Sequence, residues 1–194
     1  MEETTIILIG PICAGKSSVA EILAAKLGMT QYAMDDLRWE LFADTDYDKN
    51  VARQLHEAGD TLGRLEYMKP FEVLAVERIV AEKRGGVIDF GAGHSVYKDE
   101  ELLGRVERAL TPVEYVILLL PSPDPDESTR VLNARFREML EREVGQVDEK
   151  LLALNEHFVR HPSNRRLAML VVYTEGKTAE ETAEEIAAGI LDTG

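Results

Sequence analysis

A chain of 194 residues is the length of one domain, and with 45% hydrophobic and 30% charged residues it has an ordinary globular composition. Lys and Arg number 22 against 36 Asp and Glu, a formal net charge of −14 that argues against nucleic acid or an anionic membrane surface as partner. The single cysteine excludes a disulfide framework or Cys-rich zinc site, and the acidic start and lack of a long apolar run give no sign of a secretion signal or membrane span. Together these features point to a cytoplasmic protein.

Residues 5–9 form a short β-rich run ending at Gly10, as a buried parallel strand does. Residues 17–27 follow with helical period, Val19, Ile22, Leu23 and Leu27 on one face and Gly28 as the stop. A weak strand at 31–34 leads into a helical turn or two at 35–42, and helices are expected at 51–58 and 62–84. A third strand at 87–90 opens into Gly91-Ala92-Gly93-His94-Ser95. A helix at 101–110, an apolar strand at 115–120, helices at 128–143 and 148–160, a last strand at 168–173 and a closing helix at 179–191 complete the chain. Strands alternating with helices predict an α/β fold with a parallel sheet and a single domain over 1–194.

Gly10-Pro11-Ile12-Cys13-Ala14-Gly15-Lys16-Ser17 matches the phosphate-loop pattern G-x-x-x-x-G-K-[ST] between a strand and a helix. Backbone N–H groups from Gly10 through Ala14, Gly15 and Ser18, aided by the helix dipole, suit a polyphosphate. Lys16 would reach the β- and γ-phosphates and Ser17 would ligate Mg²⁺, so ATP and Mg²⁺ are the expected cofactors.

A second substrate would sit beyond the carboxyl ends of the strands. Asp35 and Asp36 directly follow the second strand: one of the pair could take a hydroxyl proton, or the pair could merely cap a helix. Asp89 ends the third strand, where a carboxylate assists Mg²⁺ in this class of loop. Gly91 and Gly93 could bring backbone close to a ligand, whereas His94 alone reads as a surface residue. Arg130, Arg135, Arg137 and Arg142 could close over ATP from a mobile lid, or form a solvated face with the interleaved glutamates. The segment from Arg160 to Arg166 is dense in cations for so acidic a chain and suits an anion.

These anchors, in this order, resemble the shikimate kinase family within the nucleoside-monophosphate-kinase-like P-loop kinases. They are the loop and helix of residues 6–28, Asp35-Asp36, residues 85–93 and residues 160–186. The resemblance implies a three-layer fold with a five-stranded parallel sheet, a substrate-binding helical region at about 37–84 and a lid at about 126–160. It also implies ATP-dependent phosphorylation of a small-molecule hydroxyl, with Asp35 favoured over Asp36 as the carboxylate that handles it. Met68-Lys69-Pro70-Phe71-Glu72 is similar to the family's Phe-Arg-x-x-Glu, placing Lys69 and Arg160 at the acceptor with Gly91 and Gly93 lining its pocket. Lys cannot supply the two-pronged fork that Arg gives a carboxylate. Gly91-Ala92-Gly93 stands for a Gly-Gly-Gly run, and Arg160-His161-Pro162-Ser163-Asn164 for Arg-x-Pro-Leu-Tyr. The nucleotide half is kept and the acceptor half altered, so the expected acceptor is a small molecule other than shikimate, bound by a monomer or small homo-oligomer. The alternative is a nucleotide-binding regulatory ATPase or switch with no small-molecule acceptor.

Overall fold

The computed structural model describes residues 4–191. Strand β1, Ile6–Ile9, is four consecutive apolar residues, all fully buried, because it lies at the centre of a parallel sheet covered on both faces. It pairs with β3, Gly86–Asp89, on one side and β4, Tyr115–Leu120, on the other, with Ile6 opposite both Val87 and Tyr115. The edges are β2, Thr30–Ala33, beside β3, and β5, Leu170–Tyr173, beside β4, giving the all-parallel order β2-β3-β1-β4-β5.

The two-residue period of the strands divides their side chains between two helical layers. Ile7, Ile9, Ile88 and Leu118 face a core shared with Val73, Val76 and Ile79 of α4, Thr61–Glu82, and with Leu103 and Val106 of α5, Glu100–Leu110. Ile6, Leu8, Ile117 and Leu119 face the opposite core, with Val19 and Leu23 of α1, Lys16–Leu27, and Ala183 and Ile186 of α9, Ala179–Leu191. This is the expected three-layer α/β architecture. On α1 the buried face is Val19, Ala20, Leu23 and Ala24 rather than the larger Ile22 and Leu27, which are only half-buried.

The other helices are α2, Met34–Leu41; α3, Lys49–Glu57; α6, Pro125–Glu143; α7, Glu149–Arg160; and the one-and-a-half-turn α8, Pro162–Leu167. Helix α8 is absent from the sequence reading, as is the 3-10 turn at Ala92–Ser95. It is too short for an apolar period to show. It starts because Pro162 occupies its first turn and the His161 ring accepts from Ser163 N–H. Because Ala168 still closes α8, the last strand begins at Leu170 rather than at residue 168. Helices α6 and α7 pack through Phe136, Leu140 and Leu152, and this small cluster also touches Ile12 and Cys13 of the phosphate loop. No helix among the described residues is long and apolar enough to cross a membrane.

Candidate active site

Strands β1, β2 and β3 all end at the same edge of the sheet, so Gly10, Met34 and Asp89 deliver the phosphate loop, α2 and a carboxylate to one place. The loop turns through left-handed backbone at Cys13 (φ 60°) and Gly15 (φ 90°). Gly10 is required by space as well, since a Cβ there would lie 2.6 Å from Leu119 O. Helix α1 has no side-chain cap, whereas Asp48, Asp60, Asp99, Asp124 and Asp148 cap α3 to α7. Its first-turn N–H groups remain for an anion. Asn155 of α7 supports the loop from outside: its Oδ1 accepts from Ile12 N–H at 2.9 Å and its amide donates to Ile12 O at 3.4 Å.

Lys16 Nζ donates to Pro11 O at 2.8 Å. Burial pushes its pKa down to about 8, against the opposing pull of Asp35 and Asp89. Ser17 Oγ donates to Asp89 Oδ1 at 2.8 Å, and Gln31 Nε2 donates to Asp89 Oδ2 at 2.8 Å. A hydroxyl and a buried carboxylate at a phosphate loop fit magnesium, which keeps most of its waters and takes few protein ligands. Among the described residues no cluster of three or more His, Cys, Asp or Glu side chains forms a cage, so phosphates and water would supply the remaining coordination.

A cavity of about 350 Å³ opens beside the loop, with Ile12 on one wall and Asp35, Arg38, Arg64, Glu72 and Gly93 around it. Asp35 and Asp36 do not cap α2: the cap position is Ala33, and the two acids occupy the first turn. Both acids are exposed, but Asp35 lines the cavity and receives a hydrogen bond from Arg38, whereas Asp36 lines none of it. Arg38 Nε is buried and has no hydrogen-bond partner among the described residues.

Gly91 and Gly93 are required by proximity. A Cβ on Gly91 would stand 2.6 Å from Asp35 Oδ1, and one on Gly93 would stand 2.9 Å from Glu72 Oε1. Gly91 has ordinary extended backbone (φ −60°), but a Cβ there would meet both Asp35 Oδ1, at the end of an exposed side chain, and, at 2.9 Å, Nδ1 of the buried His94. Gly91→Ala is therefore expected to lower kcat on the order of 10²-fold through a displaced Asp35, and to lower the melting temperature by a few degrees through His94. Parallel melting and turnover curves check this, and a kcat equal to wild type would refute it.

Lys69 and Arg160 depart from their expected places. Lys69 is buried in α4 and does not line the cavity: Nζ donates to Glu72 Oε2 and to Gly93 O, both at 2.6 Å, and lies 5.0 Å from the Tyr97 ring centre. Burial alone would raise the Glu72 pKa, but Lys69 and then His94 outweigh it and the carboxyl is held below its usual range. Arg160 is exposed on α7, paired with Asp126 and, at 2.9 Å, with Glu156. Of the α6 arginines expected to close over ATP, Arg135 reaches the phosphate loop, 3.5 Å from Cys13 O, while Arg130 pairs with Glu127 on its own helix.

His94 is 1% exposed, contrary to its reading as a surface residue. Burial lowers its pKa against the opposing charges of Glu72 and Asp35. A neutral buried imidazole that charges near pH 6.5 when unfolded means that the unfolded chain binds the extra proton first, so acid weakens the fold. The urea midpoint is expected to fall from about pH 7 to about pH 5.5, and less steeply in His94→Gln. Identical slopes in both proteins would contradict this. His56, Arg64 and Asp148 also line the cavity. They carry no local signal in the sequence, because only the packing of α3, α4 and α7 brings them there. Arg38 had one, its i,i+3 spacing from Asp35.

The five-stranded parallel sheet flanked by helices, with a phosphate loop after its first strand, is the fold seen in P-loop kinases. No family model matches the chain. In sequence it is shikimate kinase-like: over 184 residues, 95% of this chain and 92% of the other, it is 27% identical to the shikimate kinase of Dehalococcoides mccartyi. In structure it resembles the shikimate kinase from Acinetobacter baumannii solved with shikimate, at a TM-score of 0.68 and 20% identity over 98% of this chain and 94% of that one. It also resembles a gluconokinase from Sinorhizobium meliloti, at a TM-score of 0.60 and 16% identity over 98% and 93%.

Proposed function

We propose that this protein transfers the γ-phosphoryl group of ATP to a hydroxyl of a small molecule held in the cavity beside the phosphate loop. The observation that carries this reading is the cavity's position, with Ile12 of the loop on one wall and Asp35 on another. A nucleotide switch has no use for such a chamber. Lys16 and the loop amides would hold the phosphates, and Arg135 would approach them from the lid. Ser17 and Asp89 would hold magnesium, which when bound neutralises charge on the β- and γ-phosphates. Asp35 would orient the acceptor hydroxyl and take its proton, with Arg38 fixing the carboxylate.

The acceptor side favours a substrate other than shikimate. Where the family has a carboxylate-clamping arginine, Lys69 spends its donors on Glu72 and Gly93, and the cations facing the cavity are Arg38 and Arg64. The assay is ADP release from Mg·ATP with shikimate and with polyols, nucleosides and hydroxylated antibiotics. One acceptor class is expected to stimulate release, and Lys16→Ala to abolish it. Slow release that no alcohol accelerates would refute the reading.

A further inference from the structure

The acceptor cavity has a neighbour. A second chamber, of about 580 Å³, shares Thr61 and Leu154 with the first and so lies directly beside it. Its walls are the turn at residues 59–62 between α3 and α4, the face of α7 bearing Ala153, Leu154 and His157, and Lys98 after the 3-10 turn. The middle of the chamber is apolar: Leu62, 59% exposed, is an otherwise uncovered leucine on its wall, facing Ala153 and Leu154.

Two ammonium groups stand on the walls of this chamber. Lys98 Nζ is 3.2 Å from Glu66 Oε1, and Lys150 Nζ donates to Gly59 O at 3.2 Å. An ammonium has three donors, so each lysine retains capacity for another acceptor. The one carboxylate lining the chamber, Asp60, is already engaged in capping α4, its Oδ1 accepting from Gly63 N–H at 2.8 Å. Burial, Lys98 and Lys69 lower the pKa of His157 against the opposing pull of Glu66. In a chain of net charge −14, a cavity lined by two lysines and one aspartate is locally less acidic than the molecule as a whole.

Resting on the assignment of the first cavity to the acceptor, we infer that the acceptor is an elongated alcohol with a terminal anionic group, a phosphate or a carboxylate. Its reacting hydroxyl lies at Asp35, its body passes Thr61 and Leu154, and its anion lies between Lys98 and Lys150. A short acceptor confined to the first cavity would leave the second unused.

The test compares matched probes: D-ribose with ribose 5-phosphate, D-glucose with glucose 6-phosphate, and D-glucose with gluconate. Binding to the full chain is followed through Trp39, its only tryptophan, which adjoins Arg38 on α2. At least one anionic member is expected to bind roughly tenfold tighter than its neutral counterpart, and the preference to disappear in Lys98→Ala/Lys150→Ala. Which arm shows it, phosphate or carboxylate, names the anion. Equal affinities within every pair, failure of every anionic probe to bind, or a preference that survives the double substitution would overturn the inference. The two readings fail separately. ADP release stimulated by a neutral alcohol, and no better by its anionic counterpart, keeps the kinase and removes the anion site. Charge-selective binding with no ADP release from any acceptor does the reverse.

Discussion

Asp35→Asn is expected to lower kcat for phosphoryl transfer by ~10²–10⁴-fold with a far smaller effect on ATP affinity. The amide keeps the shape of the carboxylate and can still accept from Arg38, so the wall of the cavity survives. It can no longer take a proton from an acceptor hydroxyl. ATP would be bound by the loop and Lys16, whose backbone setting does not depend on α2. Asp36→Asn is the matched control: one residue along the helix it is exposed like Asp35 but lines no part of the cavity, and kcat should stay at the wild-type value. The measurement is kcat with the best acceptor beside a nucleotide binding isotherm. Equal losses in the two variants would remove Asp35 from its assigned role.

The largest stability effect should follow from Lys69→Met. Lys69 and Glu72 form a buried ion pair one helical turn apart on α4, and Glu72 is 4% exposed. Removing the cation strands the carboxylate, which costs about 3–5 kcal/mol where one partner of a buried pair is deleted. Lys69→Met/Glu72→Gln removes both charges and should recover most of that loss. The pH dependence has a defined sign. With Lys69 present the Glu72 pKa is depressed, so the stability it contributes exists above the unfolded carboxyl pKa and is lost as acid protonates it. Without Lys69, burial favours the protonated acid, so the gap between wild type and Lys69→Met should narrow as pH falls toward about 4. Urea midpoints of the three proteins at neutral and acidic pH decide the matter. A single variant as stable as wild type, or a double variant worse than the single, would show that the pair is not the source of the stability.

The nucleotide half of the site was legible because its chemistry is local. A phosphate loop needs particular residues at consecutive positions, so Gly10, Gly15, Lys16 and Ser17 announce themselves in eight residues. Asp89 lies 72 residues from Ser17 yet was also readable, because a carboxylate ending an apolar strand next to the loop's own strand has one place to go. The acceptor half behaves differently. Lys69 and Arg160 are placed by family resemblance in the acceptor site, but α4 turns Lys69 toward Glu72 and Gly93, and α7 leaves Arg160 with surface acids. His94 is flanked directly by Gly93 and Ser95, and no helical or strand period places it on a buried face. It is buried because the 3-10 turn folds under α4, against Phe90.

By itself, then, the sequence determined the layered α/β fold, the strand positions to within a residue or two, the phosphate loop and the strand-end carboxylate beside it. Each follows from periodicity or from chemistry between near neighbours. Only the tertiary structure decided which of Asp35 and Asp36 lines the cavity, that Arg38 and Arg64 rather than Lys69 line it, and that a second chamber with Lys98 and Lys150 adjoins it. Those outcomes depend on the rotation of each helix about its axis and on its packing against helices distant in the chain, which a one-dimensional pattern of residues does not contain.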